Sequence, residues 1–225
     1  MIGKQALSAA GQATGSFQTA EGTTRGFVYS DQRALDIGAL GGNYSTGLAI
    51  NNGGKATGIA ETATGARHAF LYSAGSMTDL GTLGGTISIG YAINDNDAVT
   101  GAAQDSSGVL RAFVHTKGQM VDLGALVASL GNGTVVDSAG TDINNAGVVL
   151  GRYVVGNPAD PSAPTTVRAF FARPVGSIVA QLFEALLRLI TGLGLGNSLL
   201  SNVEGASALQ IQTSTQAIRL AIPCL

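Results

Sequence analysis

The 225-residue sequence predicts an all-β protein: a β-propeller of about four four-stranded antiparallel blades with a short C-terminal helix. Three observations lead there. The first is a 43-residue repeat: Phe27, Phe70 and Phe113 are 43 apart, as are Asp36, Asp79 and Asp122, and Gly38, Gly81 and Gly124. Ser8, Asn51 and Asn94 keep that spacing, and Asn144 follows after 50. A repeat of this length marks a supersecondary unit that cannot bury its apolar face alone and must stack on copies of itself. The second is that each unit holds four short segments separated by turn residues, enough for a small antiparallel sheet. The third is composition: 12% charged residues, against about 25% in ordinary domains, and 33 glycines suit closely approaching, tightly turned strands. A β-solenoid would favour shorter units and a sandwich needs no strict periodicity, so a ring of blades is preferred.

The units fall at about 4–38, 45–81, 88–124 and 135–173, giving a repeat domain over 1–174 and a C-terminal region over 175–225. In the third unit the strands are expected at 88–93, 98–103, 111–116 and 119–123. The first two are joined by Asn94-Asp95-Asn96-Asp97, with counterparts at 51–54 and 144–147. Asn, Asp and Gly tolerate positive φ and form Asx turns, which makes these hairpin loops. A calcium loop would need ligands spread over about 12 residues and a closing Glu, which this stretch lacks.

The third and fourth strands are joined by Asp31-Gln32, Ala74-Gly75 and Lys117-Gly118. A two-residue loop of type I′ sets the register, placing Phe27, Phe70 and Phe113 opposite Asp36, Asp79 and Asp122. The basic residue two before each Phe is then a same-face diagonal neighbour of the Asp. The expected structural pairs are Arg25 with Asp36, His68 with Asp79 and Arg111 with Asp122; Arg168 fills the same basic slot in the fourth unit. Gly47, Gly90 and Gly140 stand four residues before the hairpin Asn, where small residues let neighbouring backbones approach.

The fourth unit is irregular. Its 156–165 loop carries three of the five prolines, and after Pro174 the repeat's last strand is missing. Ile178, Leu182, Phe183, Leu186, Leu189 and Ile190 follow helical spacing, predicting a helix over 177–191 with Ser177 as N-cap and Gly192 as stop. Either 208–213 or 217–222 reads as a strand able to supply the missing one. The helix either packs on the repeat domain or offers a surface for a homo-oligomer.

Several classes are disfavoured. A net charge of −2 and a pI near 5.6 give no basic field for nucleic acid. The single cysteine, Cys224, allows no disulfide framework, and two histidines allow no multi-histidine metal site. No cofactor motif is legible: Gly192, Gly194 and Gly196 follow a helix instead of lying between a strand and a helix. No Gly-x-Ser-x-Gly elbow occurs. The 178–195 stretch contains Glu184 and Arg188 and makes a poor membrane span. Residues 1–14 show no signal peptide, and the chain begins inside a repeat, suggesting a trimmed or partial form of a longer protein.

The segment His68-Ala69-Phe70-Leu71-Tyr72-Ser73, with Met77-Thr78-Asp79-Leu80-Gly81-Thr82-Leu83-Gly84-Gly85, Ala92-Ile93-Asn94 and Val99-Thr100-Gly101, resembles the bacterial extracellular repeat proteins of the HAF family. The likeness covers about residues 5–173, with copies drifting to Gly26-Phe27-Val28-Tyr29 and Ala112-Phe113-Val114-His115. It implies an extracellular or cell-surface location and brings no catalytic residues. The preferred expectation is a non-catalytic binding or interaction module whose ligand is a glycan, a protein or a surface. The alternative is an extracellular hydrolase, an esterase or glycan-active enzyme, with a loop-built site where the repeat fails, around Arg152, Tyr153 and Asp160.

Overall fold

The computed structural model describes residues 6–128, 134–160, 162–174, 208–213 and 216–221. The chain is all-β. The first unit holds β1 (Ala6–Leu7), β2 (Ala13–Gln18), β3 (Thr24–Ser30) and β4 (Arg33–Asp36). The second holds β5 (Gly41–Ile50), β6 (Ala56–Thr62), β7 (Arg67–Ser73) and β8 (Ser76–Asp79). The third holds β9 (Gly84–Ile93), β10 (Val99–Asp105), β11 (Leu110–Thr116) and β12 (Gln119–Asp122), and a one-turn helix α1 (Leu123–Ala128) follows. The fourth holds β13 (Val135–Ile143), β14 (Val149–Val155), β15 (Thr166–Pro174), β16 (Ala208–Thr213) and β17 (Gln216–Ala221).

Within a unit the register is the one the turns dictate. Both loop residues carry positive φ in Asp31-Gln32, Ala74-Gly75 and Lys117-Gly118, as a type I′ turn requires. Phe27, Phe70 and Phe113 consequently pair with Asp36, Asp79 and Asp122. The missing strand of the fourth unit is supplied by β16, which runs antiparallel to β15, and β17 adds beyond it.

Between units the arrangement differs from a propeller. β1 to β12 form one twelve-stranded mixed sheet and β13 to β17 a separate five-stranded one, and among the described residues no pairing joins last strands to first. The expected closed ring of four-stranded blades is therefore corrected to two open sheets. In the large sheet β4 and β8 hold four residues each against seven in β3 and β7. The uncovered half of the third strand keeps a free edge, and the ten-residue first strand of the next unit adds there in parallel, Thr24 beside Tyr44 and Arg67 beside Ile87. The expected helix over 177–191 lies outside the described residues.

Having joined that edge, each first strand crosses the face of the preceding unit. A Cβ at Gly47, Gly90 or Gly140 would fall inside contact distance of the hydroxyl of Thr14, Thr57 or Thr100. Those hydroxyls donate to the carbonyls of Phe27, Phe70 and Phe113 at 2.6–2.7 Å, which pins them in place. Buried Ser45, Ser88 and Ser138 on the same strands accept the amides of Gly26, Ala69 and Ala112 from the unit before, at 2.7–2.9 Å. The core repeats with the chain: Ile37, Leu80 and Leu123, 43 apart, are all buried, as are Phe70, Phe113 and Phe170. Among the described residues no helix is long and apolar enough to cross a membrane.

Candidate functional site

The repeat pairs are not alike. His68 Nδ1 lies 2.8 Å from Asp79, whose other oxygen accepts the Gly81 amide at 2.7 Å. Asp36 accepts the Gly38 amide in the same way, but among the described residues no ion pair joins it to Arg25. Arg111 turns away from Asp122 and pairs through Nε with Asp105 at 2.9 Å. The reason is local: the 105 slot holds Thr19 and Thr62 in the earlier units, so only the third unit offers a carboxylate there. Asp105 also accepts the Ser107 hydroxyl and the Ser107 and Val109 amides, and these bonds, Ser107 first, hold its carboxyl well below the usual range. Asp122 is left to receive the Ala125 amide at 2.8 Å as N-cap of α1, and burial pushes its carboxyl up.

The three residues named for a loop-built site after Gly151 have separate surroundings. Arg152 and Tyr153 are neighbours on a strand and face opposite sides. Tyr153 is 1% exposed and packs in the core, its ring 6.5 Å from that of Phe170, while its hydroxyl has no hydrogen-bond partner among the described residues. Arg152 reaches Asp137 at 3.5 Å, close to Tyr91, whose hydroxyl is pushed up by burial. Asp160 receives the Ser162 amide and hydroxyl and shapes its own loop. Among the described residues no hydrogen bond or ion pair joins these three to one another.

The hairpin tips make a continuous rail along one edge of the stack. Asn51, Asn94 and Asn144 each accept two amides of their own turn, the Asx chemistry expected of them. Their free carboxamide hydrogens reach across units: Asn51 donates to the Asn94 carbonyl at 3.0 Å and Asn94 to the Asn144 carbonyl at 2.9 Å. Asn52, Asp95 and Asn145 form a second row, and Lys55 meets Asp97 at 2.5 Å. With Asp95 and Asp97 so engaged, the rail is a joint between units. Among the described residues no group of three His, Cys, Asp or Glu side chains gathers as a metal site would need.

An open concavity among the described residues lies at the junction of the second and third units. The β6–β7 turn (Thr64, Gly65, Ala66), Arg67 at the start of β7, and Thr86 and Ile87 on β9 line a groove of about 560 Å³. The side chains there are set in advance. The Arg67 guanidinium lies 4.6 Å from the centre of the Tyr44 ring, a cation–π contact. Glu61, the cross-strand partner of Arg67, is drawn instead to the Asn43 amide at 2.7 Å, so no ion pair joins the two. Thr64 is hydrogen-bonded to Thr62 at 2.9 Å, and Thr86 to Gln104 through both amide and hydroxyl.

Sequence reasoning treated these positions as scaffold, although a signal was there. Aligned on the repeat, the slot of Arg67 reads Thr24, Arg67 and Leu110, and that of Tyr44 reads Tyr44 and Ile87. These slots vary while the Phe, Asp and Gly positions of the repeat recur. No protein-family model matches the chain, and no curated protein does.

Proposed function

We propose that this chain is a non-catalytic binding module of the bacterial cell exterior, a repeat scaffold whose ligand seat is the groove between its second and third units. The groove carries the reading. It is open, it combines hydroxyls, an aliphatic patch and an arginine that has no ion-pair partner among the described residues, and its walls come from two units held by the Gly90–Thr57 and Ser88–Ala69 contacts. Fixed polar groups around an apolar patch are what a binding site needs to fix orientation without a large reorganisation cost. The exterior location rests on the likeness of the His68–Gly85 segment and its copies to HAF repeats. Of the residues named for the hydrolase alternative, Tyr153 lies in the core.

The test is a glycan and peptide array probed with the full chain and with Ile87→Trp, a substitution at a 37% exposed position that fills the groove. Retention of a ligand by the wild type and its loss in the variant is the expected result. Ligands retained equally by both proteins would place the site elsewhere.

A further inference from the structure

Resting on that seat, we infer that the groove takes a carboxylate-bearing saccharide, a uronate-type sugar chain whose acid group meets Arg67. Three features lead to this class. First, the guanidinium is not engaged in an ion pair: its cross-strand neighbour Glu61 accepts the Asn43 amide, and among the described residues no acidic side chain lies within salt-bridge distance of Arg67. A guanidinium lying on an aromatic face keeps its edge donors available, and its planar fork matches a carboxylate. Second, the hydroxyls of Thr64 and Thr86 are each oriented by a neighbour and retain lone pairs to accept sugar O–H groups, while Ala66 and Ile87 offer an aliphatic patch for the C–H face of a pyranose. Third, a peptide is poorly served. Extended peptides gain affinity by adding to a free strand edge, and here β7 and β9 already occupy each other's edges through the Arg67–Ile87 pairing.

The inference also accounts for the groove's place in the array. The first unit has Thr24 in the Arg67 slot, paired in parallel with Tyr44, so the same pairing of strands is built once more without a cation; the third unit has Leu110 there. Among the described residues, the slot that opens the third strand holds an arginine in the second unit and not in the first or third.

The experiment is calorimetric titration of the full chain with a galacturonic acid trimer and with its fully methyl-esterified form, which keeps the rings and linkages and removes the charge. The acid is expected to bind at least about tenfold more tightly than the ester, the difference to shrink at high salt, and Arg67→Gln to erase it, in line with a charge-assisted hydrogen bond. Arg67→Gln lies at an exposed position and should leave the thermal midpoint unchanged, so that a loss of binding is not a loss of fold. Equal binding of acid and ester, both abolished by Ile87→Trp, would overturn the anionic class and leave the seat standing. Binding indifferent to both substitutions would overturn class and seat together. Failure of the uronate alongside Arg67-dependent capture of an acidic peptide would overturn the saccharide assignment.

Discussion

The junction between the second and third units and the junction between the third and fourth solve one problem with different spacings. At the first, 43 residues separate corresponding positions, β9 adds in parallel to β7, and the sheet runs through. At the second the spacing is 50, α1 intervenes after Asp122, and the sheet divides in two. Three contacts nevertheless persist unchanged in kind: glycine against threonine (Gly90 on Thr57, Gly140 on Thr100), serine to amide (Ser88 to Ala69, Ser138 to Ala112), and asparagine to the next hairpin's carbonyl (Asn51 to Asn94, Asn94 to Asn144). Stacking therefore depends on these small-residue and polar contacts, and backbone continuity of the sheet is an addition that one junction does without.

The strongest way to break this equivalence is to fill the crossing. Gly90→Val and Gly140→Val should each destabilise the chain by about 1–3 kcal/mol or more, since a Cβ at either place meets a threonine already fixed by its own hydrogen bond. Urea unfolding of the two variants measures it. A mild Gly140 variant beside a severe Gly90 variant would mean that the second junction is held by something other than the shared contacts. Next in size, Asn51→Ala and Asn94→Ala each remove two acceptor bonds within a turn and one donor bond between units, for about 1–3 kcal/mol. Near-equal losses are expected because each Asn serves one junction in the same geometry.

The smallest effect sharpens the difference between Arg111 and its counterpart His68. Asp105 has a depressed folded-state pKa, so its stabilisation is present above the unfolded value near 3.8 and is lost as pH falls through the folded value. Asp122 has a raised one, so its contribution is present below about 3.8 and is lost as pH rises through the folded value. Asp105→Asn should lower the thermal midpoint at pH 7 and flatten its fall in acid. Asp122→Asn keeps the cap on α1 and should leave the midpoint at pH 7 equal or slightly higher. A reversed order of the two variants at pH 7 would contradict the assignment of Arg111 to Asp105.

Much of one unit was legible in the sequence because its signals are local. Ala74-Gly75 and Lys117-Gly118 dictate a turn, the turn dictates that Phe70 and Phe113 face Asp79 and Asp122, and none of this depends on distant residues. The relation between units was not legible, since a 43-residue period is common to separate blades and to blades fused edge to edge. What distinguishes them is the parallel pairing of Thr24 with Tyr44 and of Arg67 with Ile87, contacts between units that no periodicity records. The candidate site escaped for a related reason. Arg67 and Ile87 are 20 apart and lie in different units, so they meet only through that fusion. Irregularity pointed instead to Arg152, Tyr153 and Asp160, where a strand's alternation sends two adjacent side chains to opposite faces.

The asparagine rail has a consequence for how such an array can change. Each rung joins the start of one hairpin to the start of the next and is indifferent to how many residues lie between, spanning 43 in one case and 50 in the other. Insertions that fall between rungs, as the segment containing α1 does, alter the outline of a unit without unseating its neighbour. Loops away from the rail are therefore free to vary in length, and an array of this kind can acquire new binding surfaces by lengthening them while the order of its units stays indexed by one asparagine per hairpin.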